Sequence, residues 1–576
     1  MGDSGQDQVV EVQAHGLRWL ATADFADALP ALDVDRTRRP EELGRDELVK
    51  SSTVRTVARL AHPAPSGDEC VYVKYYKPKS AARRLLYLVR PTQAAQEWRM
   101  ARALRQAGIQ TCRVLATVQS RCGPLHQGSF LVSEEIPGTI RLWQYLDSEE
   151  WYAGDAEHKR GLIEELAALI AALVRARFLH GDFHTGNLLI NPSLPVGQRL
   201  FVLDLHRIRR ATVRRKGLVN MLVFLADSTR AHNVTAMDRL RLLRAVLMEC
   251  RWPGENSCSG AAIRGWVRSI ERGWQRRHSR RMRSRTRRCL LFSSQFTHGR
   301  YGDYRIWRRR EFTPEHAMEA VSLHEEALKG DQDAGEVRKA DRRSAITICR
   351  LRDRQAVCVK AYRHTGLAER FKDFMRPGGR AKAAWVAHRG LAVRGIPTAD
   401  ALALLEARGP FQRGADYLIT EALPAVGGLG ELSGRRRPAT HDRLLPLPPA
   451  EERVLIGAAV AALFRSLAEQ MVRHPDLKPG NIMLGRPGGE VRLWLVDLDR
   501  VRFDHVWQER DWVRHLAQCD AGLARQVSAL VRMRCLRVCG RGAWSWRDRL
   551  RIARAVRAAS LLRRPERLES GAAAKP

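Results

Sequence analysis

The segment HGDFHTGNLLI at residues 180–190, followed by FVLDLHRIR from Phe201, returns as HPDLKPGNIML at residues 474–484, followed by LWLVDLDRVRF from Leu493. Asp182 and Asp476 lie 294 residues apart, and Asp204 and Asp497 lie 293 apart. Two further blocks keep the same order upstream. Val71-Tyr-Val-Lys74 matches Val357-Cys-Val-Lys360 at an offset of 286, and Gly108-Ile-Gln-Thr111 matches Gly395-Ile-Pro-Thr398 at 287. Four blocks at nearly constant spacing mean a duplicated domain. A chain of 576 residues is also too long for one hydrophobic core, so it must fold as two similar units.

Each copy runs from strands to helices. Alternating apolar residues lead to Lys74 and Lys360, a helix passes through Trp98 or Trp385, and a strand reaches Leu131-Val-Ser-Glu134 or Leu418-Ile-Thr-Glu421. A long apolar-faced helix follows, at 161–178 and 451–471, and leads directly into the HGD or HPD motif. Strands first and helices afterwards predict an α+β, two-lobed unit in each copy. The expected boundaries are 1–255 for the first domain, with its core at 45–225, and 336–560 for a second domain with an altered N-terminal lobe. Between them, 256–335 is expected as an Arg-rich linker or helical segment, and 561–576 as a flexible tail. Residues 272–288 hold nine arginines in 17 positions and no acid. They read first as a solvated helix or linker and, more sharply, as a surface that grips phosphate-rich substrate or lipid headgroups.

Charge narrows the partners. Lys and Arg number 99 against 63 Asp and Glu, a net charge of +36, which attracts polyanions such as nucleic acid, anionic membrane surfaces or phosphorylated glycolipids without choosing among them; a glycolipid is the expected partner and nucleic acid is not. The eleven cysteines form no CxxC pair, and Cys535 and Cys539 have no histidines nearby at zinc-ligand spacing, so reduced thiols are expected. The opening Met-Gly-Asp-Ser-Gly-Gln has neither the basic start nor the apolar stretch of a secretion signal, and Gln6 stands where a myristoylation site needs Ser or Thr. No apolar run approaches the roughly 18 residues of a membrane-spanning helix. The expectation is a cytoplasmic protein, touching at most the inner face of the cytoplasmic membrane.

The repeated residues suit phosphoryl transfer, which asks for cations on phosphate, groups that hold magnesium and a base aimed at the acceptor hydroxyl. Lys74 is placed to reach nucleotide phosphates, and Glu97 on the next helix to hold its ammonium in position. Asp182, in a loop directly after the apolar helix, can take the acceptor hydroxyl's proton. Asn187 offers a neutral oxygen to a metal, and Asp204, at the end of an apolar strand, offers a carboxylate. Lys360, Asp476, Asn481 and Asp497 repeat the pattern. Singly, each is an exposed strand lysine or a turn residue; the joint spacing, found twice, carries the reading.

These residues resemble the protein-kinase-like superfamily, whose catalytic loop reads H-x-D-x-x-x-x-N and whose metal-binding aspartate follows on a short strand. More narrowly, HGDFHTGN with LDLHR, the VKYYK strand and Gln96-Glu97-Trp98 on the following helix resemble the bacterial lipopolysaccharide kinases, which phosphorylate heptose or Kdo sugars of the lipid A inner core. The resemblance covers most of 45–225 and 340–510. It implies two tandem protein-kinase-like bilobal domains, each with a small strand-rich N-lobe and a helical C-lobe, using ATP and Mg2+. Asp182 and Asp476 are then the bases, Lys74, Glu97 and Lys360 bind ATP, and Asn187, Asp204, Asn481 and Asp497 hold metal. The function it implies is transfer of the γ-phosphoryl group to a hydroxyl of a lipopolysaccharide core sugar. A protein kinase, a small-molecule kinase of the aminoglycoside or choline type, and a pseudokinase scaffold on anionic membrane or nucleic acid stand as alternatives.

The departures from the pattern are specific. No G-x-G-x-x-G precedes either lysine strand, which leaves Lys50-Ser-Ser-Thr53 as the candidate phosphate-covering turn. No Ala-Pro-Glu follows either aspartate, since the next prolines are Pro253 and Pro565, and this favours a small hydroxyl-bearing acceptor over a protein. Aligning Trp98 with Trp385 puts Ala384 where Glu97 stands, and Lys478 replaces His184. The first copy is therefore expected to be active, and the activity of the second stays open.

Overall fold

The computed structural model of the chain describes residues 8–64, 67–77, 87, 90–122, 125–230, 232–250, 259–363, 379–407, 415–425, 427–430, 450–523, 527–540 and 544–563. They fall into two units, Met1–Arg277 and His278–Pro576.

Unit 1 opens with seven antiparallel strands: β1 (Val9–Ala14), β2 (Leu17–Thr22), β3 (Leu48–Ser51), β4 (Arg55–Ala64), β5 (Gly67–Tyr76), β6 (Val114–Cys122) and β7 (Leu125–Glu134), in the order β1-β2-β6-β7-β5-β4-β3. Strand alternation sorts β5 between two cores. Val71 and Val73 join Trp19, Ala58, Phe130 and Val132 on one side, while Tyr76 packs on the other with Trp98 and Leu104 of α1 (Gln93–Gln106). Lys74, in step with Tyr76, shares that second side. Thr92 caps α1 by accepting from the Ala95 amide at 3.2 Å, and the buried positions 94, 97, 98, 101 and 104 follow helical spacing.

Asp155 caps α2 (Ala156–Arg175), accepting from the His158 amide at 2.7 Å, and Leu162, Leu166, Ile170 and Leu173 bury its inner stripe. Arg177, at φ +61°, then turns the chain into β9. Short strands follow: β8 (Ile140–Arg141), β9 (Phe178–His180), β10 (Leu188–Ile190), β11 (Leu200–Val202) and β12 (Ile208–Arg210). β10 pairs with β8 and β11, and β9 with β12. These pairings bring the β9–β10 loop, carrying 182–187, beside the β11–β12 turn, carrying Asp204. Helices α3 (Arg215–Thr229), α4 (Ala236–Cys250) and the first part of α5 (Gly260–Arg287) complete the helical core, with Leu218, Met221, Leu243, Val246, Ile263 and Trp266 buried.

The stretch 256–335, expected as an Arg-rich linker or helical segment, holds the helix α5 and, beyond it, part of a sheet. In α5, Ile263, Trp266, Trp274, His278, Met282 and Thr286 are buried at three- to eight-residue intervals along one stripe, and the arginines occupy the other faces. Beyond it, β13 (Phe296–Tyr301), β14 (Tyr304–Arg309) and α6 (Pro314–Leu328) belong to the sheet core of unit 2, where Phe296, Ile306, Trp307 and Val321 are buried. The second domain, expected from 336, thus begins upstream because this hairpin supplies two strands of its sheet. The remaining strands are β15 (Glu336–Ala340), β16 (Ser344–Arg350), β17 (Ala356–Tyr362), β18 (Ala401–Ala407) and β19 (Asp416–Glu421). The order β13-β14-β18-β19-β17-β16-β15 repeats that of unit 1 strand for strand, so what is altered in this lobe is its residues and not its topology.

The helical part repeats as well, with α7 (Arg380–Ala392), α8 (Ala450–Glu469), the three-stranded sheet of β20 (Gly427–Gly428), β21 (Ile482–Gly485) and β22 (Arg492–Leu495), then α9 (Glu509–Leu523), α10 (Ala529–Cys539) and α11 (Trp546–Leu562). Of the expected tail, residues 561 and 562 end α11 and 564–576 lie outside the described residues. No helix among the described residues is long and apolar enough to cross a membrane.

Candidate active site

Lys74 Nζ donates to Glu97 Oε1 at 2.5 Å, and the Tyr76 hydroxyl donates to the other carboxylate oxygen. Burial by itself would raise the Glu97 pKa, but the Lys74 ammonium and His206 bring it down to about 2. Lys74 is held above its ordinary value: burial opposes its charge, and Glu97 and Asp204 outweigh burial. The pair is locked in its ionised form and sits where the sequence placed it.

His180 faces the Leu203 carbonyl through Nε2 at 3.0 Å, and its Nδ1 accepts from the Asp182 amide at 3.1 Å. Burial lowers its pKa, so a neutral ring fixes the loop to the strand before Asp204. Asn187 Nδ2 donates to the Asp182 carbonyl at 2.9 Å, which leaves Oδ1 as the oxygen suited to a metal. The Leu203 amide donates to the Asn187 carbonyl at 2.9 Å, coupling the two segments again. Around the Asp182 carboxylate stand His184 Nε2 at 3.8 Å and Arg277 Nη2 at 3.9 Å. His184 is pushed down by burial.

Asp204 adopts a left-handed backbone, φ +61° and ψ +47°, a conformation aspartate tolerates better than most residues. Arg55 donates to both of its carboxylate oxygens, at 2.5 and 3.3 Å, and His206 Nδ1 lies 3.4 Å from Asp204 and 3.8 Å from Glu97. Burial would raise the Asp204 pKa, yet the His206 imidazole 3.4 Å away and the Arg55 hydrogen bonds hold it well below the usual carboxylate range. Glu97, Asp204 and His206 present ligand atoms within 4.8 Å of one another. Both Glu97 oxygens already accept from Lys74 and Tyr76, so in this cluster Asp204 is the carboxylate suited to magnesium once Arg55 gives way.

In unit 2 the same positions are wired differently. Lys360 Nζ donates to Asp497 Oδ1 at 2.7 Å, because Ala384 offers it no carboxylate. Asp497 repeats the left-handed backbone at φ +60°, and Asn481 Nδ2 repeats the bond to the Asp476 carbonyl at 2.7 Å. Lys478 Nζ caps the Asp476 carboxylate at 2.8 Å. His474 faces the Val496 carbonyl at 3.2 Å, as His180 faces Leu203. Asp499 stands in the place of His206 and accepts from Arg380 at 3.2 Å.

All five first-copy residues singled out from the sequence thus fall on the facing sides of the two lobes of unit 1. Four others were not singled out. Arg55 follows the Lys50-Ser-Ser-Thr53 turn and precedes Thr56, an ordinary edge to a strand. Tyr76 and His206 lie within the VKYYK and LDLHR strings, which signalled them as motif letters without a role. Arg277 belongs to the Arg-dense run, where composition hid which arginine mattered.

A model of the lipopolysaccharide kinase (Kdo/WaaP) family matches residues 45–245 and again 329–531. The lipopolysaccharide core heptose(I) kinase WaaP of Pseudomonas aeruginosa is 32% identical over 157 residues, which are 26% of this chain and 58% of that protein. The heptose(I) kinase WaaP of Escherichia coli K12 is 27% identical over 183 residues, 30% of this chain and 68% of that protein. The match therefore spans little more than half the length of the Pseudomonas protein. A solved structure of WaaP in complex with acyl carrier protein aligns with 42% of this chain and 93% of its own, at 26% identity and a TM-score of 0.32. With one family match in each unit, covering the catalytic-loop motif both times, the chain belongs to the lipopolysaccharide kinase (Kdo/WaaP) family and carries its domain in tandem.

Proposed function

We propose that this chain is an ATP- and magnesium-dependent kinase that phosphorylates a sugar hydroxyl of the lipopolysaccharide core, with turnover in unit 1. The observation that carries the reading is the joint placement of a locked Lys74–Glu97 pair, the Asp204 carboxylate and the Asp182–Asn187 loop in one unit. When bound, ATP and magnesium supply the transferable phosphoryl group and most of the charge neutralisation. The chain's residues do the positioning. Glu97 and Tyr76 hold Lys74 as a fixed cation on the nucleotide side, Asp204 and Asn187 offer metal ligands, and Arg55 keeps Asp204 ionised and oriented. Asp182 orients the acceptor hydroxyl and takes its proton.

The test is transfer of radiolabelled γ-phosphate by the full chain to lipopolysaccharide extracted from a strain lacking its heptose(I) kinase. Label is expected in the core sugars, and Asp182→Asn is expected to lower turnover by about 10²- to 10⁴-fold while a fluorescent ATP analogue still binds. Failure of the unaltered chain to label any lipopolysaccharide would remove the acceptor class. Loss of nucleotide binding in a folded Asp182→Asn protein would remove the base assignment.

A further inference from the structure

Arg277 is held on two sides and presented on a third. Its guanidinium carbon lies 3.6 Å from the Phe224 ring centroid, and its Nε donates to Asp227 Oδ2 at 3.3 Å. Asp227 is itself fixed by the Trp274 indole N–H at 3.0 Å. The remaining edge turns to the catalytic loop, with Nη2 3.9 Å from Asp182 Oδ1, beyond hydrogen-bond reach. The side chain is 35% exposed, so part of the guanidinium reaches solvent. A fork with one face stacked and one edge bonded is pre-organised to bind a planar or tetrahedral oxyanion at the other edge.

The surrounding charges give that edge a purpose. An acceptor that brings its own anionic groups must approach the Asp182 carboxylate, and like charge repels it. His184, on the other side of Asp182, accepts from the Gly186 amide through Nδ1 at 3.0 Å, an acceptor role that only a neutral ring can fill. Arg141 is engaged by the Gly186 carbonyl, and Lys74 by Glu97. Unit 2 differs at both places: Lys478 sits directly on Asp476, and Asp520 in α9, at the place of Asp227, is occupied by Arg532 and Ser560.

We propose that Arg277 is a specificity residue that binds an anionic group of the acceptor, a phosphate or a sugar carboxylate, beside the hydroxyl that Asp182 addresses. This rests on the proposed kinase reading of unit 1 and names the charge of its acceptor. Arg277 positions the acceptor and takes no part in the transfer itself.

Binding separates the two readings, because it needs no turnover. The full chain is saturated with a non-hydrolysable ATP analogue, and its affinity is measured for detergent-dispersed lipopolysaccharide from the heptose(I) kinase-deficient strain. The same lipopolysaccharide is also tested after removal of its phosphates, after amidation of its carboxylates, and after both. Arg277→Gln is expected to bind the native glycolipid about tenfold more weakly, with nucleotide affinity unchanged and a lower melting temperature because Asp227 loses its ion-pair partner. Arg277→Lys should fall between the two. The modification that makes the unaltered chain and Arg277→Gln bind alike identifies the group recognised.

The proposal is overturned if Arg277→Gln binds the native glycolipid as tightly as the unaltered chain. It is equally overturned if the deficit persists in full on the acceptor lacking both groups, or if the unaltered chain does not bind the native glycolipid. Asp182→Asn provides the separate control: retained turnover there removes the base assignment and leaves the binding result standing.

Discussion

Lys74 and Lys360 occupy the same strand position, opposite Leu131 and Leu418, yet their ammonium groups go to different carboxylates. With Glu97 beside it, Lys74 leaves Asp204 to Arg55; with Ala384 there, Lys360 crosses to Asp497. Replacing Glu97 by Ala should therefore turn Lys74 towards Asp204, in imitation of unit 2, and weaken binding of a fluorescent ATP analogue. Leaving a buried lysine without its partner costs about 3–5 kcal/mol, less whatever Asp204 returns, and calorimetry of the variant measures the difference. The pair also sets an acid limit. Glu97 titrates near 2 in place of its ordinary 4.5, so the stabilisation it provides is complete above about pH 4.5 and is lost as pH falls towards 2. Melting temperature against pH should slope less steeply in that window for Glu97→Gln than for the unaltered chain; parallel curves would show that the pair contributes nothing. Glu97 was legible because Gln96-Glu97-Trp98 sits at a recognisable distance after the lysine strand. Arg55 was not, since its partner lies 149 residues away and only the register of β4 on β5, with Arg55 opposite Tyr76, brings it to the site.

At the scale of elements, α5 shows what composition conceals. Nine arginines in 17 residues suggested a solvated segment, but Ile263, Trp266, Trp274 and Met282 are buried among them, and that helical spacing is present in the sequence once the arginines are set aside. In each sheet the lysine strand and the strand ending at Glu134 or Glu421 were legible from their alternation; the hairpin β13–β14 was missed because Arg300, Arg305 and Arg308–Arg310 obscure the buried Phe296, Ile306 and Trp307. Gly273 explains how α5 reaches the site. A Cβ there would stand 2.5 Å from Val223 Cγ2 of α3, closer than atoms pack, so the two helices approach through this glycine, one turn before Arg277. Gly273→Leu should push α5 from α3, destabilise the protein by about 1–3 kcal/mol and weaken glycolipid binding as Arg277→Gln does. Gly273→Ala combined with Val223→Ala should recover both, since the second change removes the clashing methyl; no recovery would mean that the glycine serves backbone freedom and not close approach.

For the whole molecule, the tandem arrangement raises the question of whether one site or two turn over. Both units share strand order, the left-handed aspartate at 204 and 497 and the asparagine bond to the Asp182 or Asp476 carbonyl. They differ in the groups that set charge. Unit 1 gives its lysine a dedicated buried carboxylate and its aspartate a separate arginine. Unit 2 uses one lysine for both purposes and covers Asp476 with Lys478. On the proposed roles, a lysine paired with Asp497 must be released before that aspartate can hold a cation, and Asp476 must shed a bound ammonium before it can take a proton. The second step opposes turnover in unit 2 and has no counterpart in unit 1, where His184 and Arg277 stand 3.8 and 3.9 Å from Asp182; the first does have one, since Arg55 must likewise release Asp204. Asp182→Asn in the full chain is accordingly expected to remove nearly all phosphoryl transfer, while Asp476→Asn leaves more than about half, given that exposed ion pairs such as Lys478–Asp476 contribute at most about 1 kcal/mol to stability. Equal losses from the two substitutions would mean two working sites or one obligatory relay between them. The double variant separates those cases: two independent sites lose activity additively, whereas in a relay either single substitution already stops the reaction.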